Sequence, residues 1–270
     1  MNLAADKKSI GFIGAGIMGA SLIRGLLSSS IKANQIYISE KNLERAAEVT
    51  SQFNVENLSL SQITQKCEVI FLSVKPQDLE NVLKEISSSL KNDTLVISIA
   101  AGKTSKFIED LLKSKNPVVR VMPNTPAQIG KGVSVISAGS FATKADLDLT
   151  KELLSSTGLV LEVDEPQQDA VTAVSGSGPA YFFSFVESMI KSGVKLGLSE
   201  EIATKLAIGT IVGSAAMLQE SGIDAATLRK NVTSPNGTTA AALEVFSTKK
   251  LDDIINEAMT AAKKRSQELA

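Results

Sequence analysis

The chain has 270 residues, with 28 basic and 29 acidic side chains, and its net charge of −1 gives no electrostatic reason to expect binding to nucleic acid or to a membrane surface. It contains no histidine and one cysteine, Cys67, which excludes histidine-dependent nucleophile pairs, an internal disulfide framework and a cysteine metal cluster, so we expect no metal site. No uninterrupted apolar run approaches the roughly 18 residues of a membrane helix, and the polar start MNLAADKKS lacks a signal-peptide core. We therefore expect a soluble cytoplasmic protein in which Cys67 is a buried structural thiol.

The first strand and the turn after it form the strongest functional signal. Residues 9–13 are predicted to form a short buried strand, and Gly14, Gly16 and Gly19 then give the pattern GxGxxG where an apolar helix begins. In dinucleotide-binding folds the first glycine permits a tight turn, the second lets the backbone approach a pyrophosphate, and the third allows close packing of helix on strand. The free amides and positive dipole end of the helix then favour phosphates. We predict that the segment binds a dinucleotide through Ile13, Gly14, Ala15, Gly16, Ile17, Met18 and Gly19.

The predicted second strand, residues 35–39, ends beside charges of both signs. Ser39 and Glu40 close this strand, and an acid here accepts hydrogen bonds from the adenosine ribose in NAD-binding proteins. Lys41 and Arg45 follow, and cations here favour the extra phosphate of NADP, although both fit a solvated helix face equally well. The sequence predicts NADP(H) or NAD(H) and leaves the choice open.

Strands and helices continue to alternate up to residue 163. Helices are predicted over residues 43–53, 61–67, 78–90, 104–113 and 144–156, and strands over 68–73, 95–98, 118–122, 132–137 and 159–163. Because doubly wound sheets bind ligands at the carboxyl ends of their strands, two loops are further candidates for cofactor binding: Ser73, Val74, Lys75 and Pro76, and Ala100, Ala101 and Gly102. We predict an α/β dinucleotide-binding domain over residues 1–163 with a Rossmann-type, doubly wound parallel sheet.

Strand signals stop after residue 163, and residues 164–270 are predicted to form an all-helical domain. Its helices are expected over residues 179–196, 199–221, 224–231, 238–247 and 251–269. The second of these carries Ala207, Gly209, Gly213 and Ala216, small residues that permit close helix contact. Because such an apolar helical segment buries itself most easily against a second copy, we expect a homodimer through this domain.

Several motifs together resemble one enzyme family along essentially the whole chain. GFIGAGIMG is followed by SVKPQ, SIAAG and RVMPNTP, and the helical domain contains SGSGPAY and VTSPNGTT. In order and spacing these motifs resemble those of the pyrroline-5-carboxylate reductases. The resemblance implies reduction of the imino acid 1-pyrroline-5-carboxylate to L-proline by NADPH or NADH, the last step of proline synthesis. It also implies dimers that often assemble into larger rings such as decamers.

The resemblance further implies roles for residues of the two helical-domain motifs. Hydroxyls and free amides at a helix start form an anion site, although helix capping by Thr238 alone would explain part of VTSPNGTT. The resemblance favours substrate binding, with Thr239 hydrogen-bonded to the ring nitrogen. The expected catalytic residues are Thr239 and Ser234, and the expected substrate-binding residues are Gly237, Thr238, Ser175, Gly176, Ser177, Gly178, Pro179 and Asn124.

Three stretches depart from the family pattern. Asn236 replaces a glycine in what is usually SPGGTT, and asparagine tolerates left-handed backbone better than most residues. Residues 58–61 lack an asparagine that often contacts the cofactor, and residues 247–250 replace a common glycine pair. We expect the loop around Asn236 to keep its shape, and the second change leaves the cofactor preference open.

Reduction of a cyclic imine does not need the missing histidine. The pyrroline nitrogen is basic enough to be largely protonated near neutral pH, so the cofactor and correct positioning can supply most of the rate. A β-hydroxyacid dehydrogenase shares the glycine turn and a helical second domain, but that family has a lysine early in the helix after a glycine-rich stretch, where this chain has none before Lys191. A cofactor-sensing or scaffold protein without turnover is the other alternative, and an assay separates it from an enzyme.

Overall fold

The computed structural model describes the chain from residue 4 to residue 269. It consists of two compact units, one formed by residues up to Ser177 together with those from Ala262 onward, the other by residues Gly178–Ala261. The domain boundary that we predict after residue 163 is placed where the strand signals end, and it remains a prediction.

The first unit contains an eight-stranded sheet with helices between the strands. The strands are β1 (Ile10–Ile13), β2 (Ile36–Ser39), β3 (Glu56–Asn57), β4 (Val69–Leu72), β5 (Leu95–Ser98), β6 (Val118–Met122), β7 (Gly132–Ala138) and β8 (Gly158–Glu162), in the spatial order β3-β2-β1-β4-β5-β6-β7-β8. The helices are α1 (Ile17–Leu27), α2 (Leu43–Phe53), α3 (Leu60–Lys66), α4 (Pro76–Ile86), α5 (Ser105–Leu112), α6 (Lys144–Leu154) and α7 (Gln168–Val171). This is the predicted doubly wound α/β fold.

Three details of this unit differ from the sequence prediction. The β6–β7 pair is antiparallel, so the sheet is mostly rather than wholly parallel. The two-residue strand β3 was not predicted, because Glu56 and Asn57 are exposed and carry no apolar signal. Helix α3 is capped by the hydroxyl of Ser59, which accepts from the Gln62 amide, whereas a start at Ser61 was expected.

The strands at the centre of the sheet are buried on both faces. Every residue of β1, β4 and β5 is buried, as expected for parallel strands covered by helices on both sides. Phe12 and Phe71 stack on one face with ring centroids 4.6 Å apart, while Ile70 and Leu72 belong to the core of the other face. These two cores fix the edge of the sheet from which the glycine-rich turn projects.

The chain remains helical through much of the SGSGP motif. After α7, residues Thr172–Gly176 form a π-helical turn in which the Ser177 amide donates to the Thr172 carbonyl at 2.8 Å. Such turns are rare and frequently lie at functional sites. A β-carbon on Gly176 would lie 2.3 Å from the Met122 methyl group, so a larger residue here would require the Met122 side chain to move.

The second unit is entirely helical. Its helices are α8 (Gly178–Lys195), α9 (Glu200–Glu220), α10 (Ala225–Asn231), α11 (Thr238–Thr248) and α12 (Leu251–Glu268), and the last residues of α12 belong to the first unit. Large apolar side chains such as Phe182, Phe183 and Val212 are more than half exposed in the single chain. Helix α9 is long and apolar enough to cross a membrane by length and composition alone, which the expectation from uninterrupted apolar runs did not anticipate. Exposed apolar patches of this kind also mark interfaces between proteins.

Candidate active site

The strand register brings three predicted cofactor-binding segments to one edge of the sheet. Ile13, the last residue of β1, is paired with Ser39 on one side and with Leu72 on the other. The chain segments that follow, containing Glu40 and Ser73, therefore lie on either side of the glycine-rich turn. This is the point where the strand order reverses, which is where doubly wound sheets bind dinucleotides.

The first glycine of the motif is required by its backbone and its neighbours. Gly14 has φ +88°, and a β-carbon on it would lie 2.9 Å from the Ser73 carbonyl oxygen. Its amide donates to the Ser39 carbonyl at 2.9 Å, which ties the turn to β2. A side chain at Gly19 would likewise lie 3.0 Å from the Gly14 carbonyl oxygen, so this glycine allows close packing of α1.

The second glycine leaves the start of α1 open to a ligand. Gly16 is the N-cap of α1, is exposed, and has no atom within 4 Å of the position a β-carbon would occupy. No side chain caps this helix and no acidic residue lies in its first turn. The open cradle and the free amides at the start of the helix fit a pyrophosphate.

A cavity of about 210 Å³ lies beside this turn. It is lined by Ile13, Gly14, Gly16, Ser39, Glu40, Lys41, Leu60, Ser73, Val74, Lys75, Asp78 and Val82. Most of these residues were predicted to bind the cofactor, but Leu60, Asp78 and Val82 were not. Asp78 and Val82 lie inside α4 and carry no motif. Leu60 comes from the segment that lacks the usual asparagine, so an apolar side chain lines the cavity there.

Two charged side chains are bound to the backbone of the glycine-rich turn. The Glu40 carboxylate accepts from the Ala15 amide at 2.8 Å and from the Asn42 amide at 2.9 Å. The Arg45 side chain donates through Nε to the Ala15 carbonyl at 2.8 Å and through Nη2 to the Gly16 carbonyl at 3.3 Å. Both side chains are therefore fixed by hydrogen bonds to the protein backbone.

The loop after β4 supports the turn from the other side. The Ser73 hydroxyl donates to the carbonyl oxygens of Gly14 and Ile13. Lys75 is the N-cap of α4, with Pro76 in the first turn, and its side chain is exposed at the cavity. Pro76 opens this helix two residues before the predicted start, since proline is favoured in a first helical turn.

The turn after β5 is covered by the end of the chain. Gly102 has φ +77°, and a β-carbon on it would lie 2.8 Å from the Leu269 β-carbon and 3.2 Å from the Ser266 carbonyl oxygen. Ala100 and Gly102 are buried, whereas Ala101 is partly exposed. The contact with the C-terminal residues could not be predicted from the sequence motif.

Asn124 connects the loop after β6 with the SGSGP motif. Its side-chain oxygen accepts from the Val133 amide at 2.8 Å, and its Nδ2 donates to the carbonyl and hydroxyl oxygens of Ser175 at 3.3 and 3.2 Å. Asn124 is only 8% exposed. Its carboxamide is thus occupied in holding Ser175.

The second unit presents hydroxyl groups and a helix N-terminus at the start of α11, where the Gly237 amide donates to the Ser234 carbonyl at 3.1 Å. The N-cap of this helix is Gly237 and has no side-chain cap, so capping by Thr238 does not explain the motif. Between residues 4 and 269, no hydrogen bond involves the hydroxyls of Ser234, Thr238 or Thr239. Asn236 has φ +58°, so it adopts the left-handed conformation that its replacement of glycine requires.

A doubly wound sheet with a glycine-rich dinucleotide cradle at its switch point, followed by a helical domain, defines a nicotinamide-dinucleotide-dependent oxidoreductase. Family models agree: residues 9–102 match "NADP oxidoreductase coenzyme F420-dependent", and residues 165–269 match "Pyrroline-5-carboxylate reductase dimerisation". The pyrroline-5-carboxylate reductase of Pseudomonas aeruginosa is 43% identical over 263 residues, covering 97% of this chain and 96% of the relative.

Solved structures of the same family superpose on nearly the whole chain. A pyrroline-5-carboxylate reductase from Coxiella burnetii matches with a TM-score of 0.91 and 33% identity, over 97% of this chain and 98% of that one. The Plasmodium falciparum pyrroline carboxylate reductase with NADP bound matches with a TM-score of 0.87 and 31% identity, over 98% of each chain. The chain belongs to the pyrroline-5-carboxylate reductase family, and its cofactor is NADP(H) or NAD(H). Oligomerisation through the helical domain follows from the dimerisation match and explains the exposed apolar side chains of α8 and α9.

Proposed function

We propose that this protein reduces the imine bond of 1-pyrroline-5-carboxylate and forms L-proline. When bound, the reduced nicotinamide cofactor supplies the hydride. The observation that carries the proposal, in a chain of this family, is the start of α11, where no side chain caps the helix and the hydroxyls of Ser234, Thr238 and Thr239 have no hydrogen-bond partner among the described residues. An imino acid with one carboxylate and one protonated ring nitrogen matches this set of donors and acceptors.

The substrate carboxylate is assigned to the segment before α11. The Thr238 amide and the Ser234 hydroxyl lie at the positive end of a helix without an acidic residue in its first turn. The Gly237 amide lies at the same end and donates to the Ser234 carbonyl at 3.1 Å, so a carboxylate would share this donor. This combination favours an anion. Ser234 and Thr238 are exposed in the single chain, so both hydroxyls are accessible to a ligand.

The ring nitrogen is assigned to the Thr239 hydroxyl. This oxygen accepts a hydrogen bond from the protonated imine and keeps the ring oriented, which leaves the imine carbon free to receive the hydride. A protonated imine is already electrophilic, so no strong acid has to donate a proton in the same step. The absence of histidine from the chain is consistent with this chemistry.

The SGSGP motif and Asn124 are assigned positioning roles. Ser175 is held by the buried Asn124 carboxamide, and the π-helical turn places Ser177 where regular helix is interrupted. We assign Ser175, Gly176, Ser177, Gly178 and Pro179 to the lining of the nicotinamide and substrate pocket. Asn124 acts through Ser175, because its own polar atoms are already paired.

The functional assembly is proposed to be a homodimer that builds larger rings such as decamers, located in the cytoplasm. The large exposed apolar side chains of the second unit support contact between copies. The single unpaired Cys67 fits a reducing compartment. Light scattering of the purified protein measures the assembly size, and cell fractionation tests the location.

The activity is tested by following nicotinamide absorbance when the purified protein meets 1-pyrroline-5-carboxylate, in parallel with NADPH and NADH. The expected result is oxidation that requires the substrate, with L-proline formed in equal amount. Folded, oligomeric protein that binds cofactor but oxidises neither form would contradict the proposal and would support a cofactor-sensing role.

A further inference from the structure

The charges around the adenosine end of the cofactor cradle are fixed by hydrogen bonds to backbone. The Glu40 carboxylate is held at the end of β2 by the amides of Ala15 and Asn42, one on each oxygen. A carboxylate has about four lone-pair sites, so this group can still accept hydrogen bonds from a ligand. It lines the cavity together with Gly14 and Gly16.

The nearest arginine is occupied elsewhere. Arg45 donates to the carbonyl oxygens of Ala15 and Gly16, and its third donor pairs with Glu48 at 2.7 Å. Its guanidinium therefore stabilises the glycine-rich turn and forms an ion pair with Glu48. Three of its five N–H donors are thus engaged, and Arg45 is not among the residues that line the cavity.

The cations among the described residues that line the cavity are Lys41, directly after Glu40, and Lys75 in the loop after β4, and both side chains are exposed. An exposed lysine is a mobile and strongly hydrated charge, and its attraction for a phosphate is screened by salt. Glu40 is more enclosed and fixed in place. A doubly charged phosphate on the adenosine ribose would thus be repelled by the fixed carboxylate of Glu40, whereas no equally fixed lysine would attract it.

We propose that this chain prefers NADH to NADPH, and that Glu40 is the residue that determines the preference. Its carboxylate accepts hydrogen bonds from the hydroxyls of the adenosine ribose and repels a phosphate placed on the same ribose. The inference rests on the proposed function for the cofactor class and deepens it by naming the cofactor. A preference for NADH would distinguish this chain from the Plasmodium falciparum relative, whose structure holds NADP.

The test is calorimetric titration of NADH and of NADPH into the full-length oligomer, without substrate. We expect NADH to bind at least about tenfold more tightly at low salt, since like charges in contact cost several kcal/mol. The NADPH penalty should shrink as ionic strength rises, because it arises from charge repulsion. Equal affinities, or tighter binding of NADPH, in the unaltered protein would overturn the inference.

Two variants identify the residue responsible. Glu40→Gln removes the charge and should reduce the preference about tenfold, mainly by improving NADPH binding. Glu44→Gln is the matched control, because Glu44 is an exposed acid in the first turn of α2 outside the cavity, and it should leave the ratio unchanged. Equal shifts in the two variants would show that only the net charge matters and would overturn the role of Glu40.

A third variant tests the position of Arg45. Arg45→Gln should weaken both cofactors to a similar extent, because it loosens the turn that both require. A loss confined to NADPH would show that Arg45 binds the ribose phosphate and would contradict the inference. Because all these affinities are measured without substrate, a failure of the imine reductase activity would be recorded separately.

Discussion

The hydroxyl of Ser266 donates a 2.7 Å hydrogen bond to the carboxylate of Asp169 and so fixes the end of the last helix to α7. Asp169 also lies 3.9 Å from Arg120, a side chain that is 5% exposed and that pairs with Glu165 at 3.4 Å. Glu165 in turn accepts from the Ser105 amide and hydroxyl. The C-terminal residues are thus held by a largely buried polar cluster of the α/β unit.

Replacement of Ser266 tests this attachment. Ser266→Ala should lower the free energy of unfolding by about 1.5–3 kcal/mol, because the lost hydrogen bond is made to a charged group in a buried place. Urea unfolding at fixed protein concentration gives the value. Ser155→Ala is the control, since that hydroxyl bonds only to an exposed backbone carbonyl. A loss no larger than that of the control would mean that the attachment adds nothing to stability.

Replacement of Gly102 tests how closely the turn after β5 packs against the C-terminal residues. Gly102→Ala imposes a left-handed conformation on a residue with a β-carbon, which costs about 1–2 kcal/mol, and adds a clash with Leu269. Gly222→Ala has the same type of backbone strain, with φ +67°, but no atom within 4 Å. We therefore expect the first variant to be the less stable in thermal unfolding. Equal losses would show that Leu269 gives way without cost.

Asn236 tests whether the substrate loop depends on left-handed backbone. Asn236→Gly should change the free energy of unfolding by less than about 1 kcal/mol, because two effects oppose each other. Glycine adopts the left-handed conformation without strain, but it loses more conformational entropy than asparagine on folding. Asn236→Ala should cost about 1 kcal/mol or more at φ +58° and should also raise the KM for the imine. Urea unfolding and steady-state kinetics measure the two effects. If alanine is tolerated as well as glycine, the loop shape does not matter for binding.

Thr239 tests the assignment of the ring nitrogen. Thr239→Val should lower turnover about 10- to 100-fold, since a hydrogen bond to a charged group contributes about 1.5–3 kcal/mol. The dissociation constant of the cofactor, measured by calorimetry, should not change. Thr248→Val at the opposite end of α11 is the control and should retain full turnover. Parallel losses of turnover and cofactor binding in Thr239→Val would mark a structural role.

Cys67 tests the burial of the segment between α3 and β4. Burial is the main cause that raises the pKa of its thiol to about 12 from the ordinary 9.0. The neutral thiol is thus favoured in the folded state, so this group stabilises the fold fully below about pH 9, and the contribution is lost as the pH rises toward 12. We expect no reaction with a disulfide reagent near neutral pH until denaturant unfolds the chain. Rapid labelling of the native protein would contradict the burial.

The sequence predicted the elements whose ends carry local signals. Helix α2 was predicted with the bounds that the structure has, and it is capped by Asn42 and ends at Asn54 in a left-handed conformation. The antiparallel direction of β7 was not predictable, because the apolar pattern of a strand does not report its direction. The glycine-rich turn and Glu40 were recognised from spacing, whereas the binding of Arg45 to the turn depends on side-chain packing across distant segments.

Transfer of deuterium tests the central claim most directly. The protein is incubated with 1-pyrroline-5-carboxylate and NADH carrying deuterium at the hydride position, and the proline formed is analysed by mass spectrometry and NMR. The expected product is L-proline with one deuterium atom on the former imine carbon. Oxidation of the cofactor without labelled proline, or no oxidation by folded oligomer with either cofactor, would contradict it.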